Sequence, residues 1–199
     1  MSSTYAECSL FLSPLDAAFR IDEAETFLSA LRETGFITGT IDAQTGDDQI
    51  DKKQADAFYS GERFLEHIAY MGCSPAVQFE ARDDSDSFCH VRLHQYDEAV
   101  LIVNRKQSRP PHCPRCNKPV RSFDIEHQGE QASPQQILCE SCHETSPTAE
   151  FNWRKMGGYA RTFLEVTDIF PKEAIPQQSF LDKLDNITQT HWQYFYSCR

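Results

Sequence analysis

Cys113-Pro114-Arg115-Cys116 and, after a gap of 22 residues, Cys139-Glu140-Ser141-Cys142 are the stretch on which the reading of this chain turns. Each Cys-x-x-Cys bends tightly enough to aim two sulfurs at one point. A pair of such bends supplies four thiolates in a tetrahedron. That arrangement suits Zn²⁺, which accepts soft sulfur ligands and imposes no d-electron geometry of its own. The gap is close to that of two-knuckle zinc sites. The expectation is one structural Zn²⁺ on Cys113, Cys116, Cys139 and Cys142, with every position filled by the protein. Iron on the same four sulfurs is the lesser alternative, and a redox dithiol or disulfide pair the third. His112 and His143 flank the knuckles, but four thiolates already satisfy a metal.

The flanking pattern agrees with paired strands. Lys118 to Glu126 reads as a strand through Val120, Phe123 and Ile125, Gln128-Gly129-Glu130 and Ser133-Pro134 read as turns, and Gln136-Ile137-Leu138 as a return strand. Thr148 to Trp153 is a third strand candidate. On these residues and the four cysteines, the segment resembles a zinc ribbon of the rubredoxin-like, four-cysteine kind, a likeness confined to this part of the chain. A glycine often follows each Cys-x-x-Cys in such ribbons; here Asn117 and His143 stand there. Asn tolerates left-handed backbone more readily than His, so the second knuckle is expected to be the less regular.

Hydrophobic residues at 40% and aromatics at 12% are enough for a sizeable core, which excludes global disorder. No secretory signal follows Met1 and no apolar run approaches the length of a membrane span, so no membrane partner is expected and the reading is cytoplasmic. In a reducing compartment Cys8, Cys73, Cys89 and Cys198 read as free thiols, mostly buried.

The formal charge of −11 argues against a surface built wholly for wrapping nucleic acid. It is unevenly spread. Residues 1–98 hold 19 acids against 7 bases, and residues 124–199 hold 11 against 6. Between them, residues 99–123 hold no acid and six bases: Arg105, Lys106, Arg109, Arg115, Lys118 and Arg121. The first knuckle is a basic island in an acidic protein.

Elsewhere the chain alternates strands and helices. Cys8 to Ser13 reads as a strand. Ala24, Phe27, Leu28 and Leu31 form the stripe of a helix opened by Asp22-x-x-Glu25 and stopped by Gly35. Phe36 to Ile41 is a second strand, Asp42 to Asp56 a polar loop, Gly61 to Met71 a second helix on Phe64, Leu65, Ile68 and Met71, and Ala76 to Glu80 a short strand. Phe88 to Tyr96 alternates, with Cys89, Val91 and Leu93 on one side and Phe88, His90, Arg92, His94 and Tyr96 on the other, a set that suits a binding face but reads more simply as a half-exposed strand surface. Ala99 to Val103 continues as a strand and Gly157-Gly158 reads as a turn. Arg161 to Phe170, a helix on Phe180, Leu181, Leu184 and Ile187 opened by Ser179-x-x-Asp182, and an aromatic strand from His191 to Ser197 complete the chain.

These elements predict an α+β fold: an antiparallel or mixed sheet with helices on one face, carrying an inserted four-cysteine zinc ribbon. The expected division is an α+β body over 1–104, the ribbon over 105–153, and a βαβ-like unit over 154–199 packing with the body. No phosphate loop, nucleophile elbow or His-Glu-x-x-His pattern occurs, so an enzyme is the lesser expectation. The leading reading is a zinc-binding interaction or regulatory protein whose acidic body docks another, basic protein. The alternative is a nucleic-acid-associated protein working through residues 105–121.

Overall fold

The computed structural model describes residues 8–41, 55–71, 77–80, 88–104, 109–121, 136–169 and 173–198. Its frame is a six-stranded sheet, antiparallel at every pairing. The strands are β1 (Cys8–Pro14), β2 (Ile37–Thr40), β3 (Ala55–Ser60), β5 (His90–Val103), β8 (Gly157–Val166) and β10 (Trp192–Cys198), in the order β10-β1-β8-β5-β3-β2. Two two-stranded ladders accompany it, β4 (Ile68–Tyr70) with β9 (Ala174–Pro176) and β6 (Gln136–Leu138) with β7 (Thr145–Pro147). The class is α+β, as the sequence predicts.

Helices α1 (Ala24–Glu33) and α3 (Gln178–Thr188) form where the apolar stripes stand, and they bury the side chains that define those stripes: Phe27, Leu28 and Leu31 from α1, Phe180, Leu181 and Leu184 from α3. Both pack on the sheet face that presents Leu10, Leu12, Val91, Leu93, Leu164 and Val166. Alternate residues of the same strands, Phe11, Phe163 and Phe195, form a separate cluster with Ile102 and Ala160, so each strand serves two cores at its period of two. Phe11 stacks on Phe195 at 5.3 Å, and Phe163 meets both edge-on at 6.2 Å. The units β1-α1-β2 and β8-α3-β10 each join two parallel strands of the sheet that are not neighbours. In the first, β8, β5 and β3 intervene; in the second, β1 does.

Several local expectations change. Gly61 to Met71 does not continue as a helix. Only α2 (Phe64–His67) forms, one turn that gives way to β4, and Leu65 and Met71 of the predicted stripe lie exposed. The reason is tertiary. Ile68, Ala69 and Tyr70 pair with Pro176, Ile175 and Ala174, and the Gln177 N–H donates to the His67 carbonyl at 2.8 Å. Neither helix takes its predicted side-chain cap: Glu23 and Gln177 occupy the N-cap positions without a capping bond. The polar stretch 42–56 ends in strand, since Ala55 and Asp56 open β3; its remainder, 42–54, lies outside the described residues. Residues 77–80 are not strand. The strands predicted over Phe88 to Tyr96 and Ala99 to Val103 merge into one long strand, β5, which begins at His90 and whose pairing with β8 shifts between Gln95 and Val100.

Gly157-Gly158 is not a turn but the start of β8, paired with Val103 and Ile102. A side chain at Gly158 would place a Cβ 2.3 Å from the buried Phe195 ring, so the strand approaches β10 more closely than any larger residue permits.

Cys8 and Cys198 are not free thiols. They sit opposite each other at the end of the β1–β10 ladder and form a disulfide across a sequence separation of 190. Spacing carried no sign of it, because the two cysteines meet only once the first and last described strands pair. Cys89 is a buried free thiol, and Cys73 lies outside the described residues. Closing so long a loop restricts the unfolded chain, and loss of such a bond typically costs about 2–5 kcal/mol. Peptide mapping under non-reducing conditions is expected to recover Cys8 joined to Cys198, and a Cys8→Ser, Cys198→Ser variant to melt at lower temperature. Finding both cysteines alkylatable in the folded, unreduced protein would overturn the assignment.

Candidate metal centre

The root of the four-cysteine segment is the far half of the β5–β8 ladder. Val103 pairs with Gly157, and the next N–H, that of Asn104, donates to the Met156 carbonyl at 2.8 Å. The chain therefore leaves the sheet after β5 and returns to it at β8, with the cysteines in between. Leu101, Val103 and Tyr159 extend from the ladder into a cluster with Val120, Phe151, Trp153 and the sulfur-bearing residues.

The two knuckles are built alike. In the first, the Cys113 N–H donates to the Lys118 carbonyl and the Asn117 N–H to the Cys113 carbonyl, both at 2.9 Å. In the second, Cys139 donates to Glu144 and His143 to Cys139, again at 2.9 Å. The residue after each Cys-x-x-Cys is left-handed, Asn117 at φ 57° and His143 at φ 60°. The second knuckle is thus as regular as the first. His143 adopts the conformation that glycine would take freely, because the same pair of backbone bonds closes the turn around it.

These turns bring the four sulfurs within 4.8 Å of one another. Cys113 Sγ lies 3.8 Å from Cys142 Sγ, and Cys116 Sγ lies 3.7 Å from Cys139 Sγ. A tetrahedron with metal–sulfur bonds of about 2.3 Å has edges of about 3.75 Å, so these separations match a four-thiolate metal site. Electrostatics points the same way. The N–H groups of Cys142 and Ser141 bond the Cys139 sulfur and lower its thiol to about 7. Cys142, although the Glu144 N–H favours its thiolate, is raised to about 12 by burial and by the neighbouring sulfurs. Sulfurs this close resist joint ionisation until a cation is present to neutralise them.

The ladder β6–β7 carries the second knuckle, with Ile137 opposite Ser146. Thr148 to Trp153 is a short 3-10 turn (Thr148–Glu150) and a single bridge, not a third strand, because Trp153 turns inward and donates its indole N–H to the Thr148 carbonyl at 3.1 Å. Of the predicted strand from Lys118 to Glu126, the part up to Arg121 makes one bridge, Pro119 with His112; the rest, from 122, lies outside the described residues.

Of the six bases of the island, Arg105 and Lys106 lie outside the described residues. Arg109, Arg115, Lys118 and Arg121 are all exposed. His112 is the hub of the surface. It bridges Pro119 on one side and Asn152 on the other, and its Nε2 receives the Arg154 guanidinium at 3.3 Å. Arg154 thereby meets the segment of the island, with exposed Lys155 next to it in the chain, although both stand more than thirty positions from the island and no sequence spacing links them.

A second cluster lies on the sheet face opposite the helices. Glu165 is buried and accepts from the Ser9 hydroxyl at 2.6 Å and from His94 Nε2 at 2.7 Å. Burial by itself would raise its pKa, but the hydrogen bond and charge of His94, the Ser9 bond and the charge of Arg92 outweigh it and hold the carboxyl at about 2. Arg92 Nε donates to His90 Nε2 at 2.9 Å, and His90 Nδ1 faces the Phe88 carbonyl and the Thr167 hydroxyl, both at 2.9 Å. The expected half-exposed strand surface holds for His90, Arg92 and Tyr96, which are half-buried, but not for Phe88 and His94, which are buried, His94 because β8 supplies the carboxylate that lets an imidazole leave water. Glu165 carried no signal in the sequence beyond its place in an apolar strand.

The sign of the acid response follows from that low pKa. An ordinary glutamate titrates near pH 4.3, so the stability contributed by Glu165 is complete above about that value and is lost as the pH falls toward about 2. The melting temperature is expected to drop across this window, and Glu165→Gln to flatten the drop while lowering stability at neutral pH by about 3–5 kcal/mol, the cost of breaking a buried pair. Equal pH slopes in the two proteins would remove Glu165 from the acid response.

Among the described residues no helix is long and apolar enough to cross a membrane. No protein-family model, no curated protein and no solved structure matches the chain.

Proposed function

We propose that the four cysteines hold one structural Zn²⁺, that the segment they close is a zinc ribbon inserted between β5 and β8, and that the protein works as an interaction or regulatory protein. The observation that carries this reading is the set of sulfur separations near 3.75 Å between two matching knuckles. A four-thiolate site leaves no position for a substrate or a water, which supports a role in shape over one in chemistry. Zinc is favoured over iron because it fits the site without redox demands, and a rubredoxin-like iron centre remains the alternative occupant. On this reading residues 105–153 form the ribbon, 1–104 the body, and 154–199 complete the body's sheet through β8 and β10. The acidic body accounts for a basic protein as one class of partner. The basic surface of the ribbon supports a second, nucleic-acid-associated role.

Metal binding and local folding are coupled in such sites, with apparent binding energies of about 10–16 kcal/mol in small zinc modules. Tag-free protein is expected to carry close to one zinc per chain by elemental analysis. A Cys113→Ser, Cys139→Ser variant is expected to lose the metal and to become protease-sensitive between β5 and β8, while β1, β8 and β10 keep their exchange protection. Stoichiometric zinc in that variant, or neither zinc nor iron in the native protein, would contradict the proposal.

A further inference from the structure

We infer that the surface carrying Arg115, Lys118, Arg121, Arg154 and Lys155 binds the phosphodiester backbone of a nucleic acid. The inference rests on the ribbon reading above for the rigidity of the surface, and it names the partner of that surface.

Among the described residues, the exposed cations of the body are paired with carboxylates, whereas Arg92, Arg161 and Lys183, which have no ion pair, are half-buried. On the body, Arg20 pairs with Asp97, Arg32 with Glu25 and Arg63 with Glu66. Among the described residues, none of the five cations named above has a carboxylate within ion-pair distance, although acids outnumber bases 30 to 19 in the chain. All five are exposed. Exposed bases that meet no carboxylate among the described residues leave their charge available to an outside anion. Glu140, Glu144 and Glu150 are also exposed on the same segment.

The backbone brings the bases together at some conformational expense. His112 holds the segment of Lys118 and Arg121 through Pro119 and the segment of Arg154 through Asn152. The chain then reverses over Trp153 to Met156, with the Met156 N–H donating to the Trp153 carbonyl at 2.9 Å and both central residues left-handed, Arg154 at φ 53° and Lys155 at φ 62°. A two-residue turn of this hand is the province of Asn and Gly, which reach positive φ cheaply. Two long cationic residues there are strained, and strain of this sort collects at functional positions. Local contacts orient the two side chains without neutralising them: Arg154 donates to His112, and Lys155 donates to the Tyr194 hydroxyl and lies 4.0 Å from the centre of that ring.

The choice of polyanion follows from the net charge. At −11 the protein repels acidic partners at long range. A nucleic acid overcomes this because its charge density condenses counterions, which short-range contact with Lys and Arg releases. An acidic peptide offers no comparable reservoir. The segment presents no helix to a groove among the described residues, so the contact is to the backbone and carries little sequence preference.

The test uses the full-length, metal-assayed protein and fluorescence anisotropy with labelled probes of about 20 nucleotides: single-stranded RNA, single-stranded DNA and duplex DNA, at salt from about 25 to 200 mM. At least one probe is expected to bind at the lowest salt, with affinity falling on a log–log slope of about −2 to −4 for three to five phosphate contacts. Arg154→Gln with Lys155→Gln, and separately Arg115→Gln with Lys118→Gln and Arg121→Gln, are each expected to weaken binding about tenfold or more and to shallow that slope, while Arg20→Gln with Arg63→Gln leaves it unchanged. Two independent variant sets guard against a single misfolded protein. Failure of all three probes at low salt, unchanged affinity in both patch variants, or displacement by polyglutamate as effective as by unlabelled oligonucleotide would overturn the inference. Metal content read on the same samples separates the outcomes. Protein that holds zinc but binds no probe sinks this inference alone; protein without metal that still binds through these residues sinks the ribbon reading alone.

Discussion

The pairing of β5 with β8 is the constraint on which the rest of the molecule depends. One half of that ladder, Val91 to Gln95 against Thr162 to Val166, lies in the middle of the six-stranded sheet and supplies side chains to both of its cores. The other half, Val100 to Val103 against Gly157 to Ala160, is the stem from which the four-cysteine segment grows. The shift in register between the two halves lets the strands serve both tasks, because it separates the pairing demanded by the sheet core from that demanded by the stem. Antiparallel neighbours need no crossover helix, so a segment of any length can leave at one strand and return at the other without disturbing their hydrogen bonds.

The same ladder explains why a carboxylate and an imidazole lie inside a sheet of phenylalanines. Arg92 stands opposite Glu165 and His94 opposite Phe163. The carboxylate leans away from Arg92 to take bonds from Ser9 on β1 and His94 on β5, and the guanidinium turns to His90. Three strands are thereby tied at one point by groups that cannot slip register without burying an unpaired charge. A one-residue slip would move each of them to the helix-bearing face, where only apolar partners wait. The polar cluster adds specificity of pairing to a core whose aromatic residues would tolerate several arrangements.

What the sequence revealed divides by the range of the interaction. The cysteine knuckles, the stripes of α1 and α3 and the alternation around Cys89, Val91 and Leu93 are local patterns, set within a few residues, and all appear in the structure. Contacts between distant positions left no mark. Cys8 and Cys198 are neighbours only because β1 and β10 pair, and Glu165 finds His94 only across β8 and β5. Gly157-Gly158 has the composition of a turn, yet its meaning is the approach of a phenylalanine ring from β10. Gly61 to Met71 has a helical stripe, but a three-residue ladder with β9 outweighs propensity over so short a stretch.

Charge around the four sulfurs admits a purely local account. A divalent ion on four thiolates carries a formal charge of −2, and nearby cations and amide dipoles offset it. Position decides how far that account reaches. Arg115, inside the first knuckle, directs its N–H to the Cys113 sulfur at 3.4 Å, so local compensation already operates through the backbone. Arg154 and Lys155 are different. They are engaged by His112 and Tyr194, stand in a left-handed turn, and belong to the side of the segment where the chain rejoins the sheet. Among the described residues neither has a carboxylate within ion-pair distance, although the chain holds 30 acids. Their position there, engaged by an imidazole and a phenol and not by the sulfurs' knuckles, sets them apart from the backbone N–H groups that face the thiols.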